Sequence, residues 1–140
     1  AIGARNFLIA YNLNLNTKDK KIATDISLDL RENGRNKRNK KGKFVRDKNG
    51  IPIKNPGKLK ACKAVGWYIK EYGLAQVSMN LTNINETPPH IAFEETRNQS
   101  RERGARVTGS EIVGLIPLES MISAGKYYLN KQKHHKIEFF

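Results

Sequence analysis

The stretch Leu74–Asn83, LAQVSMNLTN, constrains this chain more than any other. Leu74, Gln76, Ser78, Asn80 and Thr82 fall on one side of the alternation, and Ala75, Val77, Met79 and Leu81 on the other. A strict period of two means a β-strand with one face against a core and one face turned away from it. The second face carries short, neutral hydrogen-bonding groups and no charge. Such a row equips a surface that meets a polar ligand. It also fits an ordinary solvated sheet face, and the pattern alone does not separate the two.

The rest of the chain reads around that strand. Ala4–Leu15, ARNFLIAYNLNL, is a first strand, with Phe7, Ile9, Tyr11, Leu13 and Leu15 on one face and Leu8, Ala10, Asn12 and Asn14 on the other. Thr17–Asn33 reads as a helix with Thr17 as N-cap, an Ile22-Ile26-Leu30 stripe beside Ala23, and Gly34 as the stop. Leu59–Lys70 is a second strand, and Glu71-Tyr72-Gly73 turns it into LAQVSMNLTN as an antiparallel hairpin. Gly66 in mid-strand predicts close approach of another element. Asn85–Gly104 reads as a second helix, with Thr87 as N-cap, Pro88 at N1, and Ile91, Ala92 and Phe93 as anchors. Ala105–Val113 is a fourth strand. A third helix opens at Ile116-Pro117 and runs to about Asn130, with an apolar stripe of Leu118, Met121, Ile122, Gly125, Tyr128 and Leu129.

That order gives two β-α-β crossovers around a hairpin. The expected fold is α+β: a ferredoxin-like βαββαβ antiparallel sheet with helices on one face, plus a C-terminal helix and a basic insertion. At 140 residues the chain reads as one domain, able to bury about two-thirds of its unfolded surface. If Val77, Met79 and Leu81 face the helices, the Gln76-Ser78-Asn80-Thr82 row lies on an uncovered sheet face. An uncovered face calls for a partner: a second sheet, another subunit as in a homodimer, or a ligand.

The formal net charge of +13 is unevenly spread. Arg35–Lys60 holds eleven basic residues and a single acid, Asp47. It is punctuated by Gly42, Gly50, Pro52, Pro56 and Gly57 and carries an Asn49–Gly50 hairpin signal. It reads as a flexible insertion outside the core, either an anion-binding arm or a solvated loop. Nucleic acid is not the expected partner, because the charge is confined to this segment and Phe44 is its only aromatic residue. No apolar run approaches the roughly 20 residues of a membrane helix. The single cysteine, Cys62, excludes an internal disulfide and fits a reducing, cytoplasmic setting. No secretory signal opens the chain, and its start at Ala1, almost directly on a strand, suggests a processed end or a piece of something longer.

Chemistry-bearing residues are sparse. Three histidines and one cysteine offer no zinc-type spacing, so no metal is expected. His90 falls in a helix's first turn and reads as a packing or surface histidine. His134 and His135 lie in a basic tail and read as solvated. Cys62 reads as a small packed residue. Glu111, in a mostly apolar strand, either meets water at a strand end or turns toward a site. No Ser/His/Asp or Cys/His set is visible, so no catalytic residue is assigned.

Three blocks carry a resemblance: GARNFLIAYNLNLNT (Gly3–Thr17), KAVGWYIKEYGLAQVSMNLTNINETPPHIAFEE (Lys63–Glu95) and RVTGSEIVGLIPLESMISAGKYYL (Arg106–Leu129). Together they resemble the C-terminal subdomain of glutamate formiminotransferases, also found in bifunctional formiminotransferase–cyclodeaminases. The resemblance covers nearly the whole chain outside Arg35–Lys60. It implies transfer of a formimino group from N-formimino-L-glutamate to N5 of tetrahydrofolate, the co-substrate, in histidine degradation. It further implies an N-terminal subdomain whose sheet faces this one across a folate cleft and which holds the family's catalytic histidine. No histidine here matches that motif. On this reading the chain is inactive alone, and Gln76, Ser78, Asn80 and Thr82, with Glu111 beside them, line one wall of the cleft. The basic insertion departs from the shorter linker expected of many members. Its charge would steer anionic folates toward the site.

Overall fold

The computed structural model describes residues 7–133. The expected start of the first strand at Ala4–Asn6 and the tail with His134 and His135 lie outside the described residues. Strands β1 (Ile9–Leu15), β4 (Cys62–Ile69), β5 (Leu74–Leu81) and β6 (Val107–Val113) form one antiparallel sheet in the order β4-β5-β1-β6. Helices α1 (Lys20–Leu30) and α2 (Pro89–Glu102) make the two crossovers, and α3 (Leu118–Lys133) follows β6. The short strands β2 (Arg35–Asn36) and β3 (Lys54–Asn55) pair with each other inside the basic segment. The α+β, ferredoxin-like expectation is met.

Register explains the core. Ile9, Tyr11 and Leu13 stand opposite Leu81, Met79 and Val77 across β1 and β5, so two apolar rows share one face. That face packs on Ala23, Ile26 and Leu30 of α1 and on Ala92 of α2, all fully buried. Gly66 shows why α1 sits so close to β4. A Cβ built there would lie 2.2 Å from the Thr24 nitrogen and 2.3 Å from the Ala23 carbonyl carbon, so only glycine fits under the helix.

The caps differ from the sequence reading. Asp19, not Thr17, caps α1: its carboxylate accepts from the Lys21 N–H at 2.8 Å, and Thr17 Oγ1 accepts from the Asp19 N–H. The helix starts later because the better acceptor for its second amide is the carboxylate. Thr87 does not cap α2. Its hydroxyl donates to the Lys60 carbonyl at 2.6 Å, while Pro88 occupies the cap position and Pro89 the first turn. Tertiary bonding has taken the side chain that local sequence would spend on the helix end. Ile91 points to solvent at 39 % exposure, so Ala92 and Phe93 anchor α2 without it.

The expected stripe of α3 is largely outward: Leu118, Met121, Ile122 and Leu129 are each exposed by about half or more. Ser120 is buried in their place. The helix lies over a cavity against α2 and β6 and does not press its apolar row into the core.

The basic segment is built from two like turns. RNKKGKFV (Arg38–Val45) and RDKNGIPI (Arg46–Ile53) repeat the same hydrogen bonds. Asn39 Oδ1 accepts from the Lys41 and Lys43 N–H groups, and Asp47 Oδ1 from those of Asn49 and Ile51. Arg38 and Arg46 each reach back to the carbonyl of a glycine, Gly42 or Gly50, with φ of +78°. The backbones then close a ring: Lys37 N–H donates to Ile53, Ile53 to Val45 and Val45 to Lys37. Arg35 anchors the segment on α1 through Asp29, at 2.7 Å, and the Asp25 carbonyl, at 2.9 Å.

Candidate functional site

The face of the sheet away from α1 and α2 carries three cross-strand rows. Trp67, Gln76, Asn14 and Gly109 are aligned across β4, β5, β1 and β6. Val65, Ser78, Asn12 and Glu111 form the next row, and Lys63, Asn80, Ala10 and Val113 the third. Cross-strand neighbours on one face lie about 5 Å apart, so the side chains of each row stand within reach of one another, up to Gly109 in the first. Val65, Trp67 and Val113 are exposed by 57 %, 45 % and 55 %, so apolar groups frame the polar rows on the side away from α1 and α2.

The structure brings Gln76, Ser78, Asn80 and Glu111 onto this one face. Gln76 is only 1 % exposed although it lies on the uncovered side. Its Oε1 accepts from the Trp67 indole N–H at 2.8 Å, and its Nε2 donates to Asn14 Oδ1 at 2.7 Å. Both polar ends are spent inside the sheet, so Gln76 holds its neighbours in place. Ser78 is partly buried and Asn80 exposed. Thr82 stands apart: it follows the end of β5, and its hydroxyl donates to the Ala61 carbonyl at 3.1 Å.

Sequence reading missed four residues of this face: Asn12, Asn14, Trp67 and Tyr72. The polar end of β1 was a signal for the two asparagines, but only the register sets them beside Ser78 and Gln76. Tyr72 lies in the β4–β5 turn, and its hydroxyl bonds to the Glu111 carboxylate. That hydrogen bond, then the carboxylate's charge, holds the phenol above its ordinary pKa. A turn residue thereby reaches the far edge strand, and Gly109 leaves the space beside Asn14 open.

The arrangement offers amide and hydroxyl groups that both donate and accept, one carboxylate–phenol pair, and an exposed indole for stacking. It lacks a base beside a nucleophile. It suits a flat, polar, partly aromatic ligand held against a second wall.

The sequence model of the formiminotransferase domain matches residues 10–139. The chain belongs to the formiminotransferase-domain family. A formimidoyltransferase-cyclodeaminase from Dictyostelium discoideum is 47% identical over 131 residues, which are 93% of this chain and 21% of the relative. The mouse (Mus musculus) formimidoyltransferase-cyclodeaminase is 41% identical over 97% of this chain and 22% of its own length. A glutamate formimidoyltransferase from Thermoplasma acidophilum is 36% identical over 91% of the chain and 35% of its own length. The chain therefore spans roughly a fifth to a third of these relatives. Among the described residues, no helix of this formiminotransferase-family chain is long and apolar enough to cross a membrane.

Proposed function

We propose that this chain forms one wall of the folate and substrate cleft of a glutamate formimidoyltransferase. The complete protein would transfer the formimino group of N-formimino-L-glutamate to tetrahydrofolate in histidine degradation. The observation that carries this reading is the uncovered sheet face with its polar rows, on a chain that spans only part of its relatives. The second wall is the sheet of an N-terminal subdomain.

In the transfer, N5 of tetrahydrofolate attacks the formimino carbon and a tetrahedral intermediate forms. The bond from that carbon to the glutamate nitrogen then breaks, and the nitrogen takes a proton as glutamate leaves. Two reactants must be held in register, and a general acid–base must move the proton. This chain supplies the first requirement. Ser78, Asn80 and Asn12 offer neutral hydrogen bonds to a pteridine edge or a glutamate carboxylate. Gln76 and Asn14 fix the Trp67 indole as a flat surface, and Glu111 with Tyr72 closes the β6 side. The proton chemistry resides in the other subdomain.

The test is Asn80→Ala in the complete transferase, with steady-state kinetics for both substrates. The expected result is a rise in KM for tetrahydrofolate or formiminoglutamate of about threefold to tenfold, the worth of one neutral hydrogen bond. Unchanged constants in Asn80→Ala and in Ser78→Ala would remove this face from the site.

A further inference from the structure

A pocket of about 520 Å³ opens where the C-terminal half of α2 meets the start of β6. Arg97, Arg101 and Arg106 line it together with Gly104, Ala105 and Val107, and no Asp or Glu lines it among the described residues. All three arginines are exposed, so their charged ends meet the space that a solute enters. Elsewhere the chain spends its arginines on itself. Arg31, Arg35, Arg38, Arg46, Arg97 and Arg103 each donate to a carbonyl or carboxylate of the protein. Arg101 and Arg106 are the two described arginines whose side chains bond to no protein group among the described residues, and both stand at this pocket. Arg97 is held loosely. It reaches the Glu94 carboxylate at 3.3 and 3.5 Å, and Lys131 bonds to that carboxylate at 2.8 Å. Arg97 and Arg101 also stand one turn apart on α2, a spacing at which like charges repel.

The end of α2 does not call for these charges. The Ser100 carbonyl accepts from the Arg103 and Ala105 N–H groups, and the Arg101 carbonyl from that of Gly104, so the turn closes on itself. Arg106 is fixed by its backbone. Its N–H donates to Asn16 Oδ1 at 2.7 Å, and its carbonyl accepts from the Asn16 N–H at 3.0 Å. A helix and a pinned strand start thus present three cationic forks to one pocket. We infer that this pocket binds a small oxyanion of two or more negative charges, carried on phosphate or carboxylate groups. Arg101 and Arg106 grip it, and Arg97 closes the third side. Guanidinium forks match the paired oxygens of phosphate and carboxylate alike. The charges set the class. Two uncompensated cations and a third shared with Glu94 are matched by a dianion or higher, whereas chloride brings one charge and no paired oxygens. The site is distinct from the proposed cleft and does not depend on the folate reading. Arg97 and Arg101 belong to α2, on the covered side of the sheet, and Val107 packs against the core.

The test uses the complete protein that contains this chain, with pyrophosphate and tricarballylate as probes. Binding is followed by isothermal titration calorimetry at about 0.15 M salt, where distant charges are screened. Saturable binding of a probe is expected, and the tighter of the two identifies phosphate or carboxylate as the source. Arg101→Gln and Arg106→Gln should each weaken it about tenfold or more, the worth of a charge-assisted hydrogen bond. Lys48→Gln removes the same charge from the basic segment and lines no part of the pocket, so it should leave binding within about twofold. Without probe, Arg101→Gln should melt at the wild-type temperature, which makes its loss of binding a loss of contacts and not of fold. Failure of both probes to saturate overturns the assignment. So does an equal loss in Lys48→Gln, which reduces the attraction to net charge, or binding that is unchanged in both arginine variants.

Discussion

Gln76 is the residue whose role changed most between sequence and structure. It was legible as a polar group on the free face of a strand, and it lies on that face. Its burial at 1 % and its bonds to Trp67 and Asn14 make it a brace. Gln76→Ala should therefore cost about 1–3 kcal/mol in urea denaturation, since it empties a buried position and leaves the Trp67 indole N–H and Asn14 Oδ1 without their partner. Asn80→Ala, exposed and without a side-chain hydrogen bond among the described residues, should stay within about 0.5 kcal/mol. Cys62 makes a second residue-scale case. Burial first, then the Glu32 carboxylate, pushes its thiol up to about 12 from an ordinary 9. The folded state then keeps a proton that the unfolded chain gives up. That stability is fully present below pH 9 and is lost as pH rises toward about 12. A thiol reagent at pH 8 should modify Cys62 only on unfolding, and the labelling rate in increasing urea checks this. The Tyr72 phenol provides a third. Glu111→Gln should return its ionisation toward the ordinary tyrosine value, read by ultraviolet titration.

Elements came through in kind and in order, and less well at their ends. Period two found all four long strands, and the 3.6-residue spacing of Ile22, Ile26 and Leu30 found α1. Caps failed where a tertiary bond competed, as when Thr87 bonded to Lys60 and not to its own helix. The stripe of α3 failed for a related reason. Amphipathic spacing tells a helix which face is apolar, and it does not tell whether a surface is there to receive it. Gly66 was legible as a close approach, and its partner was not. Gly66→Ala should force α1 away from β4 and cost about 3 kcal/mol, because the obstacle is the Ala23–Thr24 backbone. Asp19→Ala should cost about 1 kcal/mol as the loss of an N-cap. Equilibrium denaturation of both variants gives the comparison.

At the scale of the molecule, the sheet has one face covered and one bare, and the charge sits in a segment tied to α1. Arg35 binds that segment to Asp29 and to the Asp25 carbonyl on the helix layer. Its lysines therefore act on the bare face only through the long-range field, which 0.15 M salt screens beyond about 8 Å. Deleting Gly42–Lys58 in the complete protein should slow association of polyglutamylated folate at low salt. It should leave the rate unchanged at high salt, as stopped-flow binding would show. The chain expressed alone should show no transfer, and mixing it with the remainder of the transferase should restore activity. Activity of the isolated chain would place the general base within these residues and overturn the division of labour.

Sequence by itself determined what is local and periodic: which stretches are strands, which face of each is apolar, and that one polar row has no charge. It also carried the family, because long blocks such as Lys63–Glu95 have few alternatives. Tertiary structure decided which polar residues stand together. Asn12, Asn14, Trp67 and Tyr72 join Gln76, Ser78 and Glu111 only through strand register and a turn. A slip of one residue would have sent each to the other face.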